Sequence, residues 1–504
     1  STQNKAITQK NDDRLKERTA RSLKWNVVDR VSSQVLYAVT GIVLARVLSP
    51  ADFGLVGAIL IFQAFASLLV DSGFSHALLQ RKSPTRLDYS TILWFNMSVS
   101  LILYVSLFFS APLIARCFDN DLRLVPLSRT MFLALPINAS AIVQTNILMK
   151  RMDVRPIAIA NTGGLVLAGI TGIWLALKGF GAWAIVWQTL ILASVKSLTL
   201  WIIGRWRPMV NFSLQALRSF FGIGSRMMLT SFLNTLFLNI YSFVIGNRAG
   251  MSALGYYTQS DKWSKMGISS LSQILTSSFL PALSATQDSP ERFRRIASKM
   301  NRFTAYFLFP AMIGLMATAR PIFHLLFGTK WDPSIFLFQL LLFRGVFVVL
   351  NSLYNNYLLA LGRAKSIVRL EIVRDATALA ALAITLPYIT LSTPSDPVAG
   401  LGILLWGQVF ATITAWGCSL AVLLRHTHTG LMAHLRDLIP YFAITGVIIP
   451  VINLAGNCFD APAVRLSIEI LLGVSLYTGI NHLLGSTIQR EVFDYIKGKS
   501  ARNC

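Results

Sequence analysis

Arg226, Lys262 and Lys265 are cations set within long apolar stretches, and a cation so placed calls for an anion. Arg226 lies roughly ten residues into the stretch 216–246, about 15 Å along a helix, deeper than its side chain can snorkel back to water. Asp261, Lys262 and Lys265 lie eight to twelve residues into 253–281. Asp261 and Lys265 can neutralise each other at i,i+4, which leaves Lys262 over. An ionised group at that depth costs about 2.5–3.5 kcal/mol, so it needs a partner, a cavity or a ligand. Asn234 and Asn239 add polar content beside Arg226; Asn side chains also join helices by hydrogen bonds. Near the start of the chain, Asp29 and Arg30 are either an interfacial pair or part of a polar cavity. Arg46 reads as an anchor or a site residue, and Asp71 as a cap or a gating contact to a basic loop. Arg344, with Glu371, Arg374 and Asp375, could form a second polar seam, the last three as an internal ion-pair network. Tyr256, Tyr257, Trp263 and Trp331 suit either sugar stacking or interfacial anchoring.

Catalysis finds little support. The four cysteines, Cys117, Cys418, Cys458 and Cys504, are scattered, and no Cys/His spacing suits a metal. No glycine-rich phosphate loop ending in Lys-Ser/Thr occurs. The six histidines, His76, His324, His426, His428, His434 and His482, fall mostly in or near loops. No long loop carries acidic or His residues for acid–base work; the longest outer segment is the stretch from Pro112 to Pro126.

The elements that must position these charges are membrane helices. Hydrophobic residues make up 54% of the 504 and charged residues 13%, about half the charge of a soluble globule. About 20 apolar residues cross the hydrocarbon. On that rule fourteen helices are expected, near 22–48, 51–73, 90–111, 126–147, 157–178, 181–203, 216–246, 253–281, 299–320, 334–360, 368–391, 400–424, 437–456 and 465–485. The net charge of +24 would suggest nucleic acid in a soluble protein, but here the basic residues gather in alternate loops. Lys5 to Lys24, Arg81 to Arg86, Lys150 to Arg155, Arg205 and Arg207, Arg292 to Lys299, Arg363 to Arg369, Arg425 and Arg436, and Arg490 to Arg502 all fall on one side. That side is the cytosolic one, with both termini on it. Residues 1–24 lack an apolar signal core and are expected to form a frayed amphipathic cytosolic arm.

The chain also echoes itself. Arg46 is followed by Ser49, Pro50, Ala51, Gly54 and Leu55; about two hundred residues on, Arg248 is followed by Ala253, Gly255 and Tyr256. Phe74-Ser75-His76-Ala77-Leu78 returns as Phe279-Leu280-Pro281-Ala282-Leu283. Asn146 to Arg151 and Asn356 to Arg363 both end an apolar helix in a basic turn. This implies two six-helix lobes in parallel orientation. The expected division is an arm at 1–24, lobes at 25–215 and 216–430, two further helices at 431–486, and a tail at 487–504.

Trp25, Ala45-Arg46 with Phe53-Gly54, Asp71-x-Gly73-Phe74 leading to Gln80-Arg81-Lys82, Thr91-x-x-Trp94-x-Asn96, and Phe327-Gly328-x-Lys330-Trp331 together resemble the Wzx-type oligosaccharide flippases. The resemblance is to the colanic-acid-exporter type in the polysaccharide transporter branch of the MOP superfamily, and it runs to about residue 430. It implies an all-α fold of two pseudo-symmetric lobes around a central cavity. It also implies alternating access, and as cargo an undecaprenyl-pyrophosphate-linked oligosaccharide moved across the bacterial inner membrane. Arg30, Arg226, Lys262 and Lys265 fall on the helices that such flippases use to line the cavity, with Asp261 and Asn234 beside them. Asp29, Arg46, Asp71 and Arg344 are the gating or coupling candidates. The expected partners are membrane lipid, the lipid-linked glycan, a polysaccharide polymerase and a chain-length regulator, with no nucleic acid. No cofactor is expected, and whether protons, sodium or the membrane potential drive transport is not written in the residues. A cation-coupled multidrug exporter shares the fold but calls for acidic coupling residues, and here Asp29, Asp71 and Asp261 are outnumbered by cations. A membrane polymerase or ligase acting on the same glycan would explain the cations but lacks a long outer loop.

Overall fold

The computed structural model describes residues 2–71, 73–284, 289–391, 393, 396–427 and 429–496, without the side chains of 2–21, 23, 76, 223, 224, 226, 227, 274–282, 284, 495 and 496. Every regular element among them is helical. The chain divides into two compact units, Ser1–Gly255 and Tyr256–Cys504.

The first unit holds α1 (Thr2–Val47), α2 (Pro50–Asp71), α3 (Phe74–Gln80), α4 (Arg86–Cys117), α5 (Leu124–Met131), α6 (Ala134–Lys150), α7 (Arg155–Leu177), α8 (Trp183–Gly204), α9 (Leu214–Ala249) and the first turn of α10 (Met251–Ser284). The arm expected to be frayed is helical from Thr2, and residues 2–40 of α1 contain neither proline nor glycine. Helix α7 packs between α1 and α8, and α9 lies along α2 and α3.

The Ser49-Pro50-Ala51-Asp52 punctuation is a capping box with proline at the first helical position. Ser49 Oγ accepts from the Asp52 N–H at 3.2 Å, and Asp52 Oδ2 accepts from the Ser49 N–H at 3.0 Å. Asp52 Oδ1 accepts from the Ala182 N–H at 3.0 Å, which ties this turn to the start of α8. Thr85 and Asp88 form a second box at the head of α4. Lys150 caps the other end of α3, donating to the carbonyls of Leu78, Leu79 and Arg81.

The echoed turns meet. A Cβ on Gly54 would collide with the carbonyl oxygen of Met251, and one on Gly255 with the carbonyl oxygen of Pro50. Backbone rests on backbone there, which only glycine allows.

The second unit continues α10 and adds α11 (Pro290–Ala317), α12 (Ala319–Leu326), α13 (Asp332–Ala360), α14 (Ala364–Thr385), α15 (Leu401–Thr427), α16 (Leu431–Gly456), α17 (Pro462–Leu483) and α18 (Thr487–Ile496). Helix α15 packs on α13 and α14, and α16 lies between α11 and α17. Buried Phe293, Tyr354, Tyr357, Leu358 and Leu420 form its core. In both units large apolar side chains such as Phe109, Ile202, Leu454 and Leu483 stand exposed, the lipid-facing surface of a protein whose solvent is hydrocarbon.

All fourteen expected stretches contain helix, but among the described residues eleven helices are long and apolar enough to span, with a twelfth if α11 and α12, bent by 61°, count as one. Helices α10 and α14 are not among the eleven; α10 carries Asp261, Lys262 and Lys265, and α14 five ionisable groups between Lys365 and Asp375. The outer segment expected around Pro112 to Pro126 shrinks to Phe118–Arg123, since α4 runs through Pro112 and α5 begins at Leu124.

In that short segment Arg123 forks onto Asp121, Nε to Oδ1 at 2.9 Å and Nη2 to Oδ2 at 2.7 Å. This hydrogen bonding holds the Asp121 carboxyl below its ordinary range. A depressed carboxyl adds stability above its unfolded value and loses it as pH falls through the folded one. Wild type should therefore melt slightly above Asp121→Asn at pH 7, by a few tenths of a kcal/mol for so exposed a pair, and the gap should close towards pH 3. A gap that persists undiminished at pH 3 would contradict this account.

Candidate functional site

Each unit carries its own polar cluster on membrane helices. In the first, Asp29 on α1 accepts from Asn161 Nδ2 on α7, at 3.2 Å to each carboxylate oxygen. One turn on, Ser32 Oγ and Thr162 Oγ1 are 3.1 Å apart. Asp29 thus binds α1 to α7 and does not pair with Arg30. Arg30 is exposed and has no hydrogen bond or ion pair among the described residues. Lys196 on α8 lies within electrostatic reach of Asp29.

Arg46 stands exposed in the last turn of α1. Asp71 ends α2 and accepts from Ser75 Oγ, which in turn accepts from Asn146 Nδ2 on α6 at 2.9 Å. Its carboxylate therefore joins α2, α3 and α6. The Arg226 side chain lies outside the described residues; its backbone falls in α9. Asn234, two turns further, is exposed, while Asn239 Nδ2 donates to the Thr235 carbonyl at 2.8 Å.

In the second unit Lys265 Nζ bonds Asp261 Oδ2 at 2.6 Å. Lys262 has no carboxylate partner among the described residues, and its Nζ is 5.5 Å from the Trp263 ring centroid. Trp263 Nε1 donates to Gln259 Oε1 at 3.1 Å. Trp331 and Tyr257 are 1% and 4% exposed, so they are core residues and neither sugar platforms nor interfacial anchors. Arg344 Nη1 donates to Gln408 Oε1 at 2.8 Å, a link from α13 to α15. Arg374 joins Glu371 at 2.5 Å and Asp375 at 2.8 Å along α14.

Two clusters escaped the sequence reading. Tyr357 OH donates to Asn301 Oδ1 at 2.9 Å, and Asn301 Nδ2 and His434 Nδ1 are 3.0 Å apart, so His434 is buried in a network and not in a loop. On α17, Arg465 Nε donates to Glu469 Oε1 at 2.8 Å, and Glu469 is 1% exposed. An Arg and a Glu four apart in an otherwise apolar span was the available signal. Among the described residues no group of three His, Cys, Asp or Glu side chains could hold a metal.

Among the described residues the site is electrostatic: Arg30 and Lys262 lie without a carboxylate, and Asp29 and Asp71, with Asn161 and Asn146, are engaged in helix-to-helix bonds. These charges are set on the helices of a multi-pass membrane protein. The solved lipid II flippase MurJ, in an inward closed conformation, superposes with a TM-score of 0.68 over 92% of this chain and 99% of that one, at 15% identity. Residues 43–336, more than half of the chain, match the family described as polysaccharide biosynthesis protein, and the chain belongs to that family. Among its relatives is the lipopolysaccharide biosynthesis protein WzxC of Escherichia coli (strain K12), 27% identical over 69% of this chain and 71% of WzxC. Another is the succinoglycan biosynthesis transport protein ExoT of Rhizobium meliloti (strain 1021), 28% identical over 62% of this chain and 63% of ExoT.

Proposed function

We propose that the chain is a lipid-linked oligosaccharide flippase of the bacterial cytoplasmic membrane. It moves an undecaprenyl-pyrophosphate-linked repeat unit from the inner to the outer leaflet by alternating access, for exopolysaccharide, capsule or O-antigen synthesis. The family match over residues 43–336 carries this reading. Arg30 and Lys262, exposed and without a carboxylate partner among the described residues, offer charge-assisted bonds to the pyrophosphate. Arg226 joins them by its depth in the sequence, and Lys265 by releasing Asp261. Both termini lie in the cytosol, on the side of the basic loops. A polymerase and a chain-length regulator act on the delivered units.

Deleting the gene in its host and analysing lipid-linked saccharides tests the assignment. Complete repeat units should accumulate on their carrier in the cytosolic leaflet while surface polymer disappears; units that reach the outer leaflet and stay unpolymerised would overturn it. Lys262→Gln at normal expression should lower export about tenfold, the worth of one charge-assisted contact. Undiminished export would remove Lys262 from the binding role.

A further inference from the structure

Between α8 and α9, within the first unit, the chain runs without helix over residues 205–213, strapped across the head of α4. Four side chains of α4 hold this strap by its backbone. Arg86 donates from Nε and Nη2 to the Arg207 carbonyl at 3.2 and 3.0 Å, and Trp94 Nε1 to the Met209 carbonyl at 2.8 Å. Ser90 Oγ accepts from the Met209 N–H at 2.8 Å, and Thr91 Oγ1 from the Ser213 N–H at 3.2 Å. What the strap shows to its surroundings is fixed with it.

That outer surface makes two demands. Val210 is 88% exposed, Phe212 50%, and Leu214, the first residue of α9, 70%. Among the described residues the N–H and C=O groups of Val210, Asn211 and Phe212 have no partner. Bare backbone is not viable among acyl chains, where no water can satisfy it, and apolar side chains this exposed are unfavourable in bulk water. Both demands are met together in the headgroup layer.

Charge selects the headgroup. Arg205 and Arg207 are exposed, and the bonds of Arg86 to the Arg207 carbonyl bring a third guanidinium to the strap. None of the three has a carboxylate partner among the described residues; Asp88, two residues from Arg86, is engaged by Arg81 and by the Thr85 N–H. Three guanidinium groups on a strap with bare N–H donors suit a phosphate that carries net negative charge.

We infer that the 205–213 strap is a membrane-surface anchor that binds an anionic glycerophospholipid, its phosphate on Arg86, Arg205 and Arg207, with Val210 and Phe212 at the acyl boundary. Phosphatidylcholine carries the same phosphate but adds a quaternary ammonium that the arginines repel. The inference requires only that the chain lies in a membrane and is independent of what it exports.

The test is hydrogen–deuterium exchange of the full-length protein in nanodiscs of phosphatidylglycerol or of phosphatidylcholine, read on peptides that cover 205–213. The amides of Val210, Asn211 and Phe212 should exchange about tenfold more slowly in phosphatidylglycerol. Arg205→Gln with Arg207→Gln leaves every backbone tether in place and should abolish the difference. Arg292→Gln with Arg295→Gln removes the same charge from another exposed basic segment and should preserve it. Val210→Ser with Phe212→Ser should shrink it by releasing the apolar hold. Equal exchange of wild type in the two lipids overturns the inference. So does a difference that survives either change in the strap, or one that is lost equally when Arg292 and Arg295 are replaced. Slow exchange in native membranes but in neither nanodisc would assign the strap to a protein partner and overturn it as well.

Discussion

Gly54→Val should leave almost no folded protein in the membrane fraction, and Gly54→Ala should lower the melting temperature by several degrees. Alanine is the better helix former by about 1 kcal/mol, so propensity alone would favour the change. Packing opposes it: the new methyl meets the Met251 carbonyl, a backbone group with no rotamer to escape into. The two helices must part, and overpacking of that kind costs about 1–3 kcal/mol for a methyl and more for a β-branched side chain. Gly255→Ala should behave alike, because its methyl meets the Pro50 carbonyl. The double alanine variant should cost far less than the two singles together, since helices parted for one methyl have already made room for the other. Size-exclusion yield and thermal melting in detergent give the readout. A Gly54→Val protein with wild-type yield and melting point would show that the two turns do not pack this way.

The second large effect belongs to Arg465. Replacing it with methionine strands the Glu469 carboxylate, 1% exposed and with Gly456 pressed so closely on it that a Cβ there would strike Oε1. Breaking a buried pair from one side costs about 3–5 kcal/mol, whereas replacing both members by apolar residues is often neutral. Arg465→Met should therefore melt far below wild type, and Arg465→Met with Glu469→Met should recover most of the loss. A single variant as stable as wild type would mean that the carboxylate has another partner.

The helices were legible because each needs an unbroken apolar run, and all fourteen stretches contain one or most of one. What escaped was three-dimensional. The fourth stretch is two helices, α5 and α6, with their break at Phe132–Leu133 inside apolar sequence that periodicity reads as continuous. Asp29 and Arg30, adjacent in sequence, read as either an interfacial pair or part of a polar cavity; they point differently, because neighbours on a helix sit about 100° apart and Asp29 bonds α7. Trp331 looked interfacial because it precedes a span, yet it turns inward onto Tyr256, 5.9 Å between ring centroids. The Asp261–Lys265 bond could be read from its spacing, as could the isolation of Lys262. Glu469 is not legible as a buried group, because nothing in a linear sequence shows that one of its oxygens goes without a donor among the described residues.

The reciprocity of the glycine contact reaches beyond stability. Gly54 meets the carbonyl of Met251, four residues before Gly255, and Gly255 meets that of Pro50, four residues before Gly54. A two-fold rotation that exchanges the two turns carries one contact onto the other, which is the signature of an isologous interface. A chain of half this length, bearing one such turn, would hold everything needed to meet a second copy of itself through the same patch. The tightest seam in the first unit thus has the form of a homodimer contact, now written twice into a single polypeptide.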